Sequence, residues 1–382
     1  MEKQEHVLLH LCFDGNFIDN SSKVFEHFYP DRNIFCVVPF KQKKIRKIKM
    51  KDAIWLEQGN PDIGRIKNLC EENHVDTIII HGVNPDFITI LKAINDKKKY
   101  PVYWIFWGFE LYYALGEKTD YPLIDNNSIF SFVNWIKPTK YNAWLRKLIH
   151  MHTFYPLLQE TLKCVNFFCF WFYDDYLLLK KYFDTDIQYK YFQYSASYKS
   201  DPSKEIILCY DKTPKEIRVN HSASKTGNHD TLIELLHQID KKNEYKKVFP
   251  LAYGNTFIRS HVIRKGKKMF GNQFCPITEN VGLEEYLESL SKTGIAIFGN
   301  NRQEGGGNLF PLLKSGAKVF LRKNNPFLDY CKKNGYIVFS VEDDLKSMKD
   351  LQPLTREQMD HNAEIGRTRR VYYEDFMPNF IE

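Results

Sequence analysis

The chain has 382 residues, which suits two domains of ordinary size, since single hydrophobic cores stop growing at about 250–300 residues. Hydrophobic residues make up 43% of the chain and aromatic residues 15%, which excludes an intrinsically disordered or fibrous protein. The formal net charge is only +7 and no nucleic-acid-binding motif accompanies it, so we expect no nucleic acid among the partners.

The eight cysteines include no CxxC pair, and several lie in apolar runs such as IILCY. This pattern is typical of reduced, buried thiols in the cytoplasm and predicts neither a disulfide framework nor a zinc site. The N-terminal stretch MEKQEHVLLHLCF has no cleavage signal, and the longest strongly apolar run, CVNFFCFWFY, is about half as long as a membrane span. We therefore expect a protein that is soluble or lies on a membrane without crossing it.

The first third of the chain alternates apolar runs with polar segments that are compatible with helices. The strand-like runs are HVLLHLCF, NIFCVVPF, DTIIIHG and PVYWIFWG, with segments such as SSKVFEHFY and PDFITILKAINDKKK between them. Fully apolar strands separated by helices are typical of a parallel sheet that is covered on both faces. Residues 1–200 are therefore predicted to form a doubly wound, Rossmann-like α/β domain.

Two basic segments of this half of the chain favour either an ordinary solvated surface or contact with phosphates. Residues 41–51 carry seven cations in eleven positions, as expected of a lysine-rich loop or of a segment attracted to an anionic bilayer or a diphosphate-bearing acceptor. Farther along, Trp144 and Leu148 recur at helical spacing with Arg146 and Lys147 between them. That amphipathic helix would pack on a core or lie on lipid.

From about residue 201 the alternation of strands and helices starts again, with KEIILCY, EIRVNHS, KKVFPLAYG, FCPITENV, GIAIFG, AKVFLRK and YIVFS as strand-like runs. We predict a second Rossmann-like domain over residues 201–365 and a last helix over residues 366–382. Two such domains place a ligand by default in the cleft between them.

In open parallel sheets, ligands bind beyond the carboxyl ends of the strands. In the second domain these positions hold small, hydroxyl, amide and glycine residues, which expose backbone N–H groups at helix N-termini and so favour a phosphate site. Helix capping alone would also explain the hydroxyl and amide side chains. The candidate donor-binding residues in the first two of these loops are Ser222, Ser224, Lys225, Thr226, Asn228, Tyr253 and Gly254.

The loop NRQEGGGN is harder to explain by capping, because three successive glycines remove every Cβ from one surface. We interpret it as a seat for a pyrophosphate with an attached sugar, with Arg302 for the phosphate charge and Glu304 for a pair of hydroxyls. It matches neither GxGxxG nor a Walker loop, so no NAD or P-loop chemistry is predicted. This loop adds seven candidates: Arg302, Gln303, Glu304, Gly305, Gly306, Gly307 and Asn308.

Three ionisable residues follow strands of the first domain: Asp14, His81 and Glu110. Each stands where a general base could face the cleft, although a turn cap or strand terminator would explain Asp14 and His81 equally well. The DTD motif at 184–186 has the spacing of a metal-chelating motif in some sugar-nucleotide transferases, with YDDY at 173–176 nearby. Because DTD follows a helix and not a buried strand, we expect no metal site.

The segments WGFELY (107–112), HSASKTGNH (221–229), PLAYG (250–254) and above all YLESLSKTGIAIFGNNRQEGGGNLFPLLKSGAKVFLRKNNPF (286–327) carry a resemblance. They resemble the family of TDP-4-acetamido-4,6-dideoxy-galactose (Fuc4NAc) transferases that act on lipid II in enterobacterial common antigen assembly. The resemblance covers most of the second domain and is thinner in the first. Glu304 stands where the family pattern leads us to expect glutamine.

The resemblance implies the GT-B architecture, no metal or other cofactor, inversion at the anomeric carbon, and a polyprenyl-diphosphate-linked saccharide as acceptor at the inner face of the plasma membrane. Residues 222–228 and the RQEGGGN loop would then hold the diphosphate of a dTDP-sugar. We therefore expect a cytoplasmic, peripheral glycosyltransferase of surface polysaccharide assembly, with an anionic membrane surface among its partners. The alternative is a catalytically silent nucleotide-sugar-binding scaffold.

Overall fold

The computed structural model describes residues 6–39, 48–95, 98–119, 121–128, 154–200 and 208–381. The chain divides into two compact units. The first unit comprises Met1–Lys118, Ala143–Asp201 and Val371–Glu382, and the second comprises Thr119–Asn142 and Pro202–Arg370. Each unit therefore draws on more than one stretch of the chain.

The described part of the first unit contains a parallel sheet of seven strands in the order β3-β2-β1-β4-β5-β6-β7. The strands are β1 (Leu8–Phe13), β2 (Asn33–Val38), β3 (Ile54–Trp55), β4 (Thr77–His81), β5 (Val102–Ile105), β6 (Phe167–Cys169) and β7 (Gln188–Lys190). Every residue of β1, β4 and β5 is buried, as the apolar runs of the sequence predict for strands covered on both faces.

Six helices of the first unit are described: α1 (Asn16–Phe28), α2 (Ile63–Glu72), α3 (Pro85–Ile94), α4 (Phe109–Lys118), α5 (Phe154–Leu162) and α6 (Tyr173–Tyr182). The start of α3 follows from its local sequence, because the side chain of Asn84 accepts a hydrogen bond from the Asp86 amide and Pro85 occupies the first turn. The amphipathic helix expected around Trp144 lies outside the described residues.

The described part of the second unit contains a parallel sheet of six strands in the order β10-β9-β8-β11-β12-β13. The strands are β8 (Glu216–Val219), β9 (Lys246–Pro250), β10 (Phe274–Ile277), β11 (Ile295–Phe298), β12 (Lys318–Leu321) and β13 (Phe339–Ser340). Its core packs residues such as Val219, Phe249 and Ile297 against the helices that cover the sheet.

The described helices of the second unit are α7 (His229–Ile239), α8 (Thr256–Phe270), α9 (Leu283–Ser291), α10 (Gly306–Ser315), α11 (Pro326–Lys333), α12 (Val341–Asp344) and α13 (Arg356–Thr368). The last of these helices, α13, begins at a capping box formed by Thr355 and Gln358. It ends at Thr368, so it lies earlier in the chain than the helix expected over residues 366–382. Residues 373–375 and 377–379 form two 3-10 turns, and Tyr373, Met377 and Phe380 are buried in the core of the first unit.

Both sheets are doubly wound, as the sequence predicts. In each, the strand order reverses beside the first strand of the unit, between β1 and β4 in the first unit and between β8 and β11 in the second. Ligands bind at such switch points, outside the carboxyl ends of the two strands that flank the reversal. Among the described residues, no helix is both long enough and apolar enough to span a membrane.

Candidate functional site

The loops that follow β8 and β11, the strands flanking the switch point of the second unit, are joined by hydrogen bonds. The side-chain oxygen of Asn220 accepts from the Gly299 amide at 2.7 Å, and the side-chain amide of Asn228 donates to the Gly299 carbonyl at 2.9 Å. A Cβ at Gly299 would lie 2.2 Å from the carbonyl oxygen of Gly227, so only glycine allows this approach. The two loops therefore form one rigid edge of the sheet.

Glu304 is the centre of the hydrogen-bond network between these loops. Its Oε2 accepts from Thr226 Oγ1 at 2.5 Å and from Asn300 Nδ2 at 2.7 Å, and it lies 3.0 Å from Arg302 Nη2. Its Oε1 lies 3.6 Å from His221 Nε2. Burial alone would raise the pKa of the Glu304 carboxyl, but the Arg302 charge and the hydrogen bonds outweigh it and hold that pKa well below its usual range.

The structure thus brings together three of the candidate donor residues from two loops: Thr226 from one, and Arg302 and Glu304 from the other. Arg302 is 8% exposed, and its Nε also lies 3.3 Å from Thr226 Oγ1. The charges of Arg302 and Glu304 therefore compensate each other inside the second unit, and the ion pair orders the loop.

The N-terminus of α10 lies at the middle of the glycine run. Gly305 is its N-cap with φ of 76°, so the capping position itself carries no side chain. A Cβ at Gly305 would lie 2.7 Å from Nδ1 of His221, whereas one at Gly307 would meet no atom of the described residues within 4 Å. Conformation and packing therefore require glycine at 305, while the exposed Gly307 leaves open backbone beside the first turn of a helix. That end carries a partial positive charge and favours an anion.

A third loop, after β9, joins this cluster. The Ala223 amide donates to the Tyr253 carbonyl at 2.7 Å, and the Asn255 amide donates to the Ala223 carbonyl at 2.9 Å. Gly254 has φ of 116°, and a Cβ there would lie 2.5 Å from the Ala223 oxygen. The ring of Tyr253 remains 73% exposed, which places a large aromatic surface beside the loop at 222–228.

The other candidate donor residues lie in the same two loops in different environments. Ser224 caps the 3-10 turn Lys225–Gly227 by accepting from the Thr226 amide, so the capping interpretation holds for this side chain. Lys225 is exposed at the tip of its loop, whereas Ser222 and Gln303 are buried. Asn308, in the first turn of α10, accepts a hydrogen bond from the hydroxyl of Tyr286.

In the first unit, Asp14, His81 and Glu110 lie at or just beyond the carboxyl ends of β1, β4 and β5, which are neighbours in the sheet. Asp14 is 3% exposed, and its Oδ1 accepts from the Ile48 amide at 2.9 Å. Glu110, in the first turn of α4, is 1% exposed, and its Oε1 accepts from the Trp107 amide at 3.3 Å. Both carboxylates are therefore held by backbone donors.

His81 is fully buried in a chain of side-chain hydrogen bonds. Its Nδ1 lies 2.7 Å from the hydroxyl of Tyr194, and its Nε2 lies 3.0 Å from Nδ1 of His10. Nε2 of His10 lies 3.3 Å from the side-chain oxygen of Asn33, whose amide donates to the Tyr29 carbonyl. Burial lowers the pKa of His10 to about 3, and burial together with His10 lowers the pKa of His81. Both imidazoles are therefore neutral.

The indole of Trp107 lies where the three strand ends of the first unit meet. Its Nε1 donates to the hydroxyl of Tyr194 at 3.0 Å. A Cβ at Gly15 or at Gly82 would lie 3.4 Å from its ring atoms. The ring therefore lies against the loops that follow β1 and β4, the strands that flank the switch point of the first unit, and a Cβ at either glycine would meet it at ordinary contact distance.

The family model described as "4-alpha-L-fucosyltransferase glycosyl transferase group 56" matches residues 180–377, more than half of the chain. The chain belongs to this family. It is a glycosyltransferase, as the sequence predicts, and the matched range contains all three loops of the second unit described above.

Solved structures with the same architecture cover nearly the whole group 56 chain. Sucrose-phosphate synthase from Thermosynechococcus elongatus aligns over 97% of this chain and 96% of its own, with a TM-score of 0.60 and 8% identity. The N-terminal domain of trehalose-6-phosphate phosphatase from Candida albicans covers 100% and 96%, with a TM-score of 0.58 and 9% identity. Anabaena HepE, solved in complex with UDP and glucose, covers 97% of both chains, with a TM-score of 0.56 and 9% identity. The chain has the GT-B fold, which confirms the predicted fold class.

Several residues of this group 56 site are not among the candidates chosen from the sequence. His221 and Asn300 contact Glu304, and Asn220 ties the two loops of the switch point. His221 is adjacent to the candidate Ser222 and Asn300 lies two positions before the candidate Arg302, so their position after a strand was a usable signal. Trp107 lies in the WGFELY segment, which follows a strand of the first domain. The same position after a strand indicates Glu110 as a candidate.

The DTD motif considered as a metal site lies between α6 and β7, where Asp184 and Asp186 are both exposed. Within the described ranges, no three His, Cys, Asp or Glu side chains are grouped as they would be to hold a metal ion. The motif thus contributes two exposed carboxylates and no third ligand from the described part of the chain.

Proposed function

We propose that this glycosyltransferase moves a deoxy-amino sugar similar to Fuc4NAc from a dTDP-sugar to a polyprenyl-diphosphate-linked saccharide, with inversion and without a metal. The observation that carries the proposal is the switch point of the second unit. There, the Thr226–Glu304–Arg302 network holds two loops beside a helix N-terminus whose N-cap residue is a glycine. A preformed edge of this kind suits the diphosphate of a nucleotide sugar.

The second unit would bind the donor. Backbone N–H groups at Gly306 and Gly307 and the charge of Lys225 would face the diphosphate, and the exposed ring of Tyr253 would stack on the base. Binding of UDP and glucose by HepE, which shares the fold, supports a nucleotide sugar as the ligand class. Glu304 would not contact the donor but would hold Thr226 and Arg302 in place, since its Oε2 accepts from Thr226 in the loop after β8 and lies 3.0 Å from Arg302 in the loop after β11.

The first unit would supply the general base. Asp14 is our first choice and Glu110 our second, while His81 ranks third because both of its ring nitrogens already have partners. The carboxylate takes the proton of an acceptor hydroxyl, and the oxygen attacks the anomeric carbon opposite the diphosphate. The bond to the diphosphate breaks, and dTDP leaves with the electron pair. Helix N–H groups and Lys225 stabilise the charge that develops on it.

The acceptor and the peripheral location at the inner face of the membrane are part of the same proposal. Their support is the resemblance to lipid II transferases and the basic segment at 41–51. The described end of that segment is held beside the proposed base, because the amides of Ile48 and Lys49 donate to the carboxylates of Asp14 and Asp19. Cations attached there would favour a diphosphate-bearing acceptor.

The test is transfer of label from a radiolabelled dTDP-sugar to a membrane lipid extract, with and without EDTA. We expect transfer that EDTA does not change and a product of inverted anomeric configuration. Transfer that EDTA abolishes would contradict the metal-free mechanism and return attention to Asp184 and Asp186. Nucleotide binding without any transfer would favour the silent scaffold. A thermal-shift comparison of dTDP-, UDP- and GDP-sugars would identify the nucleotide.

A further inference from the structure

A short segment from the first half of the sequence belongs to the second unit. Thr119 and residues 121–128, here called the strap, follow α4 along the chain and lie outside the range that the family model matches. The strap contains no regular helix or strand. Its contacts with the second unit are nonetheless specific, because they reach the loops after β8, β11 and β12.

The strap holds the loop after β11 through Asn301, which is fully buried. The hydroxyl of Tyr121 donates to the Asn301 carbonyl at 2.8 Å. In return, the side-chain amide of Asn301 donates to the Pro122 carbonyl at 2.6 Å and to Oδ1 of Asp125 at 3.2 Å. Asn301 immediately precedes Arg302, so the strap fixes the backbone at the start of the RQEGGGN loop.

The strap also holds the loop after β8 through Asn228, which is buried and is the N-cap of α7 with φ of 44°. The Asp125 amide donates to the side-chain oxygen of Asn228 at 2.9 Å. The same Asn228 side chain donates to the carbonyl of Gly299 in the other loop. One residue of the strap, Asp125, therefore contacts both loops of the switch point.

The carboxylate of Asp125 is anchored to the next strand as well. Its Oδ2 lies 2.6 Å from Nη1 of Arg322, which directly follows β12, and it accepts from Thr231 Oγ1 at 2.6 Å. The other partner of Arg322 is Glu342, whose Oε1 lies 2.5 Å from Nε. Arg322 thus connects two carboxylates, of which Asp125 contacts the donor loops through Asn228 and Asn301.

We propose that the strap is a positioning element of the donor site and that Asp125 and Tyr121 are positioning residues for nucleotide binding. Loop residues that are ordered before the ligand arrives do not lose that conformational freedom on binding, so the strap would raise nucleotide affinity without touching the nucleotide. The ligand class rests on the proposed function. The positioning role does not, because it concerns the order of residues 220–229 and 299–308 in the free protein.

The experiment compares three variants of the full chain by amide hydrogen exchange and by calorimetric titration with dTDP. Tyr121→Phe removes one hydroxyl. Asp125→Asn removes the negative charge and replaces one accepting oxygen with an NH₂ group that donates. Glu342→Gln is the matched control, since it removes the other carboxylate of Arg322 and leaves the strap's contacts to the loops in place. We expect faster exchange in residues 220–229 and 299–308 for the first two variants only.

The same variants separate a positioning role from a purely structural one. Loss of one hydrogen bond predicts dTDP binding weaker by about fivefold for Tyr121→Phe, and by about tenfold or more for Asp125→Asn. Glu342→Gln should lower the melting temperature without changing dTDP binding. Equal exchange and equal dTDP affinity in Asp125→Asn and Glu342→Gln would overturn the proposal. If the wild-type protein does not bind dTDP, the proposed donor is wrong, while exchange confined to the two loops still supports the positioning role.

Discussion

The hydroxyl of Thr226 donates a hydrogen bond of 2.5 Å to the carboxylate of Glu304, although the two residues lie 78 positions apart in the sequence. This contact joins the loops after β8 and β11 and, with Arg302, forms a buried ion-pair network at the switch point. Three donors already surround Oε2 of Glu304, so this oxygen holds the neighbouring side chains in place and is not available to a ligand. We therefore expect Glu304 to affect ligand binding indirectly, through the geometry of both loops.

Glu304→Gln should weaken both folding and nucleotide binding. The glutamine keeps the size of the side chain but removes the negative charge that lies 3.0 Å from the buried guanidinium of Arg302, at a cost of about 1–3 kcal/mol in the free energy of unfolding. We expect dTDP binding to weaken by about tenfold, since both loops loosen. Urea unfolding and calorimetric titration measure the two effects.

The control is Glu288→Gln, which makes the same change in the exposed i,i+4 pair with Lys292. Exposed pairs of this kind contribute about 0.5 kcal/mol or less, so its stability and dTDP affinity should match the wild type. If Glu304→Gln were as mild as Glu288→Gln, the Glu304 network would not hold the loops.

The glycines of the RQEGGGN loop should respond to alanine in opposite ways. Gly305→Ala places a Cβ 2.7 Å from the His221 ring at a positive φ, so it should destabilise the protein by about 1–3 kcal/mol. In the part of the chain that the structure describes, the Cβ of Gly307→Ala meets nothing within 4 Å, and it replaces a helical glycine, so the free energy of unfolding should stay equal or rise. If the diphosphate approaches this backbone, Gly307→Ala should nonetheless weaken dTDP binding by about tenfold.

Thermal unfolding and dTDP titration of both variants check this. Unchanged dTDP binding in Gly307→Ala would place the diphosphate elsewhere, because a diphosphate against this backbone would meet the added Cβ.

Much of this architecture follows from the sequence. The apolar runs predict the strands, and residues after strand ends predict which loops meet, because parallel strands finish at the same edge. The pairing of Thr226 with Glu304 does not follow, since no local pattern connects two residues in different loops. The strap shows the same limit more strongly. Tyr121 and Asp125 lie in a stretch without periodicity, more than a hundred positions before the loops that they contact.

A second unpredicted feature, the chain from Trp107 to His10, had a signal in the sequence. His10 is a polar residue inside the apolar run LLHLCF, and a buried polar side chain needs a partner. The sequence does not reveal which partner, because strand order decides that β4, with His81, lies beside β1. The partner of His10 therefore follows from the pairing of β1 with β4 and not from the periodicity of the sequence.

Asp14→Asn should abolish turnover while leaving dTDP binding unchanged. Removal of a general base costs typically about 10²–10⁴ in rate, and the donor loops belong to the other unit. Because Asp14 also accepts from the Ile48 amide, a loss of activity could reflect a displaced segment. Asp19→Asn is the matched control, since Asp19 accepts from the amides of Lys49 and Met50.

Steady-state turnover with labelled dTDP-sugar and calorimetric dTDP binding separate the two roles. Near wild-type turnover in Asp14→Asn would remove Asp14 as the base and make Glu110 the next candidate. An equal loss of turnover in both variants would assign Asp14 to anchoring residues 48–50.

The buried histidines of the first unit should make its stability depend on pH. The pKa of His10 is lowered to about 3 by burial, and that of His81 is also lowered, whereas both are near 6.5 in the unfolded chain. The unfolded state therefore binds more protons below pH 6.5. The stability from this pair is complete above about pH 6.5 and falls by about 1.4 kcal/mol per pH unit for each histidine as the pH drops.

His10→Gln should make the free energy of unfolding less dependent on pH between pH 6.5 and 5. The slope should fall by about 1.4 kcal/mol per pH unit, which corresponds to one bound proton. The control is His74→Asn, at an exposed position with φ of 55° that asparagine tolerates, and its slope should equal that of the wild type. Tryptophan fluorescence can follow the transition, because the described tryptophans lie in the first unit: Trp55, Trp104, Trp107 and Trp171. An unchanged slope in His10→Gln would mean that His10 is already protonated in the folded protein, where its Nδ1 would then donate to Nε2 of His81.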